Sequence, residues 1–285
     1  MIKADLAYPT HYIKLSNNCD VAYIDEGIGD KTLLFVHGLA TYGLSWKKNI
    51  DFLKKYYRCI AIDLPGNGLS SRGNFPYSMN FFAGIIYDFI IKAGLNNVYL
   101  IGHSMGAQIV LTTLINAGDC ADGLVLCAPA GFEKFTSMEK SIYHGTVQFF
   151  DFFSTEENSL RKTIRTSFYQ SPSQGDDMID DLVSIMKKHP NSQYKPMIEA
   201  CIAGMLNEPV FDKLHLINQR TLVLFGERDA LIPNKLVHPT TTRQIAEAGT
   251  RQMLHATLEM LPQCGHFLQI EKAAEVNHII HRFIN

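Results

Sequence analysis

The stretch Val98-Tyr-Leu-Ile-Gly-His-Ser-Met-Gly-Ala107 constrains this chain more than any other part of it. Its apolar start reads as a buried strand, and the run Ala107–Leu114 reads as the body of a helix. Between them, Gly102-His-Ser-Met-Gly106 must turn the chain sharply. Glycines flank the serine because so tight a turn strains it, and neighbouring Cβ atoms would clash with the incoming helix. Ser104 is then lifted above the strand at a helix N-terminus, where developing negative charge is favoured. A strand–turn–helix of this kind belongs in an α/β architecture.

The rest of the chain agrees. Short apolar runs at His11–Leu15, Val21–Asp25, Thr32–Val36, Arg58–Leu64, Val98–Gly102 and Gly123–Ala128 predict strands. The first two, joined across Ser16-Asn17-Asn18, predict an antiparallel hairpin. Helical stretches near 44–55, 79–93 and 105–117 separate the later ones, as βαβ units of a mostly parallel sheet require. From Gly131 to Gln219 strand-like runs vanish. Helical periods take over at Ser137–Phe153, Glu156–Tyr169, Asp176–Lys188 and Tyr194–Leu206, punctuated by prolines. Strands return at Thr221–Phe225 and Thr257–Leu261, and a last helix is expected over Ile270–Phe283. The simplest organisation is one α/β core (1–130 and 220–285) with an all-helical insertion (131–219).

With 285 residues, 46% hydrophobic and 19% charged, the chain can bury a sizeable core and wholesale disorder is excluded. A net charge of −2 advertises no nucleic-acid or anionic-membrane partner. Apolar runs stop short of the roughly 18 residues a membrane helix needs. The N-terminus lacks the basic-then-apolar run of a signal peptide. The six cysteines are scattered singly with no C-x-x-C pair, so neither zinc nor redox chemistry is suggested. A cytoplasmic, reducing location is the expectation.

A serine hydroxyl needs a base. Among 11 histidines, His266 in Gln263-Cys-Gly-His-Phe267 falls between the last strand and the last helix, on the edge where open α/β sheets gather ligands. His103 adjoins Ser104, but the turn points it away, into packing beside the elbow. His278 and His281 belong to the surface or core edge of the last helix. The acid that orients the base comes from Gly226-Glu-Arg-Asp229, and Asp229 is the better choice because it clears the strand end. Glu227 is expected to face solvent or pair with a base. Oxyanion donors are expected at the Met105 N–H and at the Leu39 N–H, after His37-Gly38, with Gly38 allowing close backbone approach.

These pieces resemble the α/β-hydrolase-fold family, of the single-chain, helical-cap kind. The likeness rests on Asp25-Glu-Gly-Ile-Gly, Phe35-Val-His-Gly-Leu, Ile62-Asp-Leu-Pro-Gly-Asn-Gly-Leu-Ser70, Gly102-His-Ser-Met-Gly106, Leu224-Phe-Gly-Glu-Arg-Asp229 and Cys264-Gly-His-Phe267. The order Ser104, Asp229, His266 is also the order of that family. The resemblance implies an eight-stranded, mostly parallel sheet, an active site under the cap and no cofactor. In such families the Asp63-Leu-Pro-Gly-Asn-Gly stretch is a structural turn. Serine at the nucleophile position argues against epoxide hydrolases and haloalkane dehalogenases.

The expected activity is hydrolysis of small to medium, largely apolar acyl compounds, whether ester, lactone or thioester. The alternatives are carbon–carbon bond hydrolysis on the same triad, or a ligand sensor with slow turnover. The expected partner is a small-molecule substrate. Specificity should lie in the insertion, whose Tyr143, Phe149, Phe150, Phe152, Phe153, Phe168 and Tyr169 either roof the pocket or form the cap's own core. Arg161 and Arg165, four apart on one helical face, either meet a substrate carboxylate or belong to a solvated face.

Overall fold

The computed structural model describes residues 8–16, 18–150, 157–170, 172–188 and 193–285, without the side chains of 144–150, 159 and 172. The strands are β1 (His11–Lys14), β2 (Asp20–Glu26), β3 (Thr32–Val36), β4 (Arg58–Ile62), β5 (Val98–His103), β6 (Gly123–Cys127), β7 (Arg220–Gly226) and β8 (Ala256–Leu261). They form one sheet in the order β1-β2-β4-β3-β5-β6-β7-β8. The pairs β1–β2 and β2–β4 are antiparallel and the remaining pairs parallel. The expected hairpin and the expected sheet class are both present.

Every residue of β3 and β6 is buried, as a strand covered by helices on both faces must be. The edge strand β1 is largely exposed, and β8 at the other edge is only partly buried. Helices α1 (Lys47–Leu53), α2 (Met79–Lys92) and α3 (Met105–Ala117) link the first parallel strands. Between β6 and β7 the regular elements among the described residues are all helical: α4 (Ser137–Phe150), α5 (Glu157–Arg165), α6 (Asp176–Lys188), α7 (Tyr194–Asn207) and two short 3₁₀ turns. The expected helical ends at 151–156 lie outside the described residues. Among the described residues, no helix is long and apolar enough to cross a membrane.

Two features depart from expectation. A helix α8 (Thr242–Thr250) follows β7, at a place where no helix is predicted above. The last helix is broken at Lys272 into α9 (Leu268–Glu271) and α10 (Ala273–Ile284).

The connections set the site. After β3 the chain crosses to β4 on one side, whereas after β5 it crosses to β6 on the other. The carboxyl ends of the adjacent strands β3 and β5 therefore open a crevice at the reversal of strand order, the usual ligand position in an open α/β sheet.

Candidate active site

Ser104 directly follows β5 with φ +52° and ψ −116°, a left-handed conformation unusual for a side chain larger than hydrogen. Backbone bonds hold it there. Its N–H donates to Cys127 O (2.9 Å), and its carbonyl accepts from Ala107 (3.0 Å) and Ala130 (3.1 Å). Both flanking glycines are sterically required. A Cβ on Gly102 would lie 2.6 Å from Ala107 N, and one on Gly106 would lie 2.4 Å from Val36 O. Helix α3 thus packs directly on the end of β3, and Met105, its first residue, follows the serine without a spacer.

His266 and Asp229 meet because β7 and β8 are neighbours whose following loops are zipped together by Arg228 N–H to Cys264 O (2.8 Å). Gly226 makes that close approach feasible, since a Cβ there would sit 2.2 Å from Gly265 O. Asp229 is buried. Its Oδ1 accepts from Leu231 N–H (2.8 Å) and Ile232 N–H (3.0 Å), and its Oδ2 accepts from His266 Nδ1 at 2.8 Å. With Nδ1 so engaged, Nε2 is the His266 ring nitrogen left outside that hydrogen bond. Glu227 instead pairs with Arg243, as expected for the acid nearer the strand.

Ser104, His266, Leu39 and Ala40 line one cavity of about 460 Å³. Tyr143 of α4, Leu160 and Ile164 of α5, Met205 of α7 and Leu231 also line it. Among the described residues, the backbone N–H groups of Leu39 and Met105 have no protein acceptor. Gly38 brings its strand-end loop onto the elbow, where a Cβ would lie 3.3 Å from Ser104 Cβ.

His37 braces that loop. Its Nε2 accepts from Leu64 N–H (3.0 Å), so the proton resides on Nδ1 and is donated to Gly38 O (2.8 Å). Burial pushes its pKa down to about 4, and the imidazole is neutral. Because the unfolded chain binds this proton and the folded one does not, His37 disfavours folding as pH falls from 6.5 towards 4. The unfolding free energy of the wild type relative to His37→Gln is therefore expected to rise by about 3 kcal/mol from pH 4 to 6.5. Urea titrations at both ends of that window would read it, and a pH-independent difference would remove His37 from the acid transition.

His103 packs beside the elbow as expected, but it does something further. Its Nε2–H donates to the His266 carbonyl at 3.0 Å, its ring lies 4.8 Å from the His266 ring, and burial keeps it neutral. Glu271 was not singled out in the sequence. It accepts from Gly265 N–H and from Tyr169 N–H, while His266 N–H donates to Ser167 O (3.0 Å). The segment after α5 is thereby fastened to the His266 loop, with Phe168 stacked on Phe267 at 4.9 Å.

Asp63 anchors the turn after β4. It accepts from Gly43 and Leu69 N–H groups, and burial raises its carboxyl to about 6. It takes no place in the cavity lining, in keeping with a structural turn. Arg161 pairs with Glu157 and Asp180, and Arg165 with Asp176, which uses both arginines within the helical segment. Of the expected aromatics, Tyr143 lines the cavity, Phe168 is buried and Tyr169 is exposed. The side chains of Phe149, Phe150, Phe152 and Phe153 lie outside the described residues.

Residues 31–273 match the sequence profile of the alpha/beta hydrolase fold. This chain belongs to the α/β-hydrolase fold family. It is 24% identical over 266 residues to the dihydrolipoyllysine-residue acetyltransferase component of the acetoin cleaving system of Cupriavidus necator, covering 93% of this chain and 66% of that protein. It is 25% identical to epoxide hydrolase 2 of Caenorhabditis elegans, covering 94% of this chain and 78% of that one. A thermophilic esterase from Thermogutta terrifontis superposes with a TM-score of 0.79 at 20% identity, over 97% and 98% of the two chains. Such kinship puts this α/β-hydrolase among the hydrolases of its family.

Proposed function

We propose that this α/β-hydrolase is a serine hydrolase of small to medium, largely apolar acyl substrates, with Ser104 as nucleophile. The observation that carries the reading is the buried Asp229–His266 hydrogen bond opening into the same cavity as the Ser104 elbow. Residues 131–219 act as a cap on a core of 1–130 and 220–285. Serine at the elbow, rather than a carboxylate, separates this chemistry from epoxide opening.

Ser104 Oγ attacks the substrate carbonyl while His266 Nε2 takes its proton, and Asp229 stabilises the imidazolium through Nδ1–H. The Leu39 and Met105 N–H groups hold the oxyanion, each donor contributing about 3–4 kcal/mol to the transition state. His266 then protonates the leaving group. A water deprotonated by the same nitrogen releases the acyl group from Ser104.

The test is reaction with a fluorophosphonate, read by peptide mass, beside turnover of p-nitrophenyl esters of increasing chain length. Modification at Ser104 with chain-selective turnover is expected. A folded protein that is neither labelled nor active would overturn the reading, and turnover of a dienol diketone in place of esters would move it to carbon–carbon cleavage.

A further inference from the structure

The cavity walls are mainly apolar, and three charged side chains reach them: Glu133, Lys140 and Lys235. Glu133 is already engaged. It accepts from Asn234 N–H (2.8 Å) and from His238 Nδ1 (2.6 Å), and burial raises its pKa. Glu139 approaches the other nitrogen of the same imidazole at 3.3 Å, so His238 sits between two carboxylates.

The lysines are different. Lys140 on α4 is half-buried, yet among the described residues its ammonium meets no carboxylate, carbonyl or aromatic ring. Its one hydrogen bond is through its backbone, from N–H to Thr136 O. Lys235, on the loop carrying Asn234, is exposed and also lacks an anionic partner. By contrast Lys47, Lys54, Lys134 and Lys187 each reach a carboxylate. The Lys140 ammonium keeps its contact with solvent, and a carboxylate entering the apolar cavity would give it an anionic partner at the cavity wall. Two ammonium groups, one on a half-buried and one on an exposed lysine, against one carboxylate already holding two donors leave the lining with a positive bias.

We propose that the cavity takes an acyl substrate carrying a carboxylate remote from the scissile carbonyl, held by Lys140 with Lys235 adding attraction. This rests on the serine-hydrolase reading and names its substrate class: the half-ester of a dicarboxylic acid, or a chemically equivalent acyl acid. The apolar walls hold the intervening methylenes, and hydrolysis of such a half-ester yields the free dicarboxylate and an alcohol.

Monomethyl esters of straight-chain C6 to C12 dicarboxylic acids, each compared with its dimethyl ester by pH-stat, provide the test. At one chain length or more, the wild type is expected to favour the half-ester at least about tenfold in kcat/KM, mainly through KM. Lys140→Met should bring that ratio to about one, Lys140→Arg should retain it, and added salt should shrink it. Calorimetric binding of the same pairs to Ser104→Ala reads the preference without turnover. A wild type that shows no preference at any length, in rate or in binding, overturns the proposal, as does a ratio unmoved by Lys140→Met. Fluorophosphonate labelling that persists beside either result would leave the serine-hydrolase reading standing. A binding preference in a protein that neither labels nor turns over would support the carboxylate site and sink that reading instead.

Discussion

Ser104→Ala is expected to lower kcat/KM for the best ester by about 10⁶-fold, with little change in the urea midpoint. That loss corresponds to about 8 kcal/mol of transition-state stabilisation. It should be nearly pure in chemistry, because the bonds that hold the elbow belong to backbone atoms. Cys127 O would still receive the residue-104 N–H, and Ala130 would still donate to its carbonyl. Alanine meets the left-handed φ at a cost close to that of serine. Residual activity above the uncatalysed rate should survive through the Leu39 and Met105 donors. Single-turnover kinetics and circular dichroism on one sample would separate these effects, and a variant retaining wild-type rates would remove Ser104 from the mechanism.

Asp229→Asn is expected to cost about 10⁴-fold in kcat for a different reason. The amide oxygen can keep the bonds from Leu231 and Ile232 N–H that Oδ1 now accepts, so the loop should stay in place. Its NH₂ would then face His266 Nδ1, where a carboxylate oxygen now stands at 2.8 Å. Two donors cannot share that bond. The imidazole would carry its proton on Nε2 and present no lone pair to Ser104. Asp229→Ala adds a second fault, because two loop N–H groups lose their acceptor, and it should also lower the thermal midpoint. Equal rates for wild type and Asp229→Asn would show that some other group orients the base.

Ser104, Asp229 and His266 were legible because each is encoded within a few neighbours. The Gly102–Gly106 turn declares its own geometry, and Asp229 and His266 are each named by the strand they follow. Other features depend on partners distant in sequence. The position of β4 outside β3 is set by packing, and no local pattern marks it. The ion pairs of Arg161 and Arg165 reach Asp180 and Asp176 on a separate helix, so the two arginines looked available when read alone. The grip of Glu271 on Tyr169 N–H likewise links residues 102 positions apart.

Helix α8 is the instructive omission. Within Thr242–Thr250 only the terminal threonines and Gly249 are poor helix formers, whereas Arg243, Gln244, Ala246, Glu247 and Ala248 are good ones. Its start also carries a full capping box, in which the Thr241 hydroxyl accepts from Gln244 N–H and the Gln244 side chain accepts from Thr241 N–H. The Thr-x-x-Gln start and the helix's composition both point to a helix there.

The fastening of residues 167–169 to the His266 loop bears on how such a molecule can change its diet. The hydrogen bonds at that seam enter from the helical segment through the Ser167 carbonyl and the Tyr169 amide, not through side chains. Mutation can therefore rewrite the letters there while the main-chain grip persists, and the pocket's lining can be recomposed without unseating His266. Innovation and maintenance fall on different atoms of the same residues.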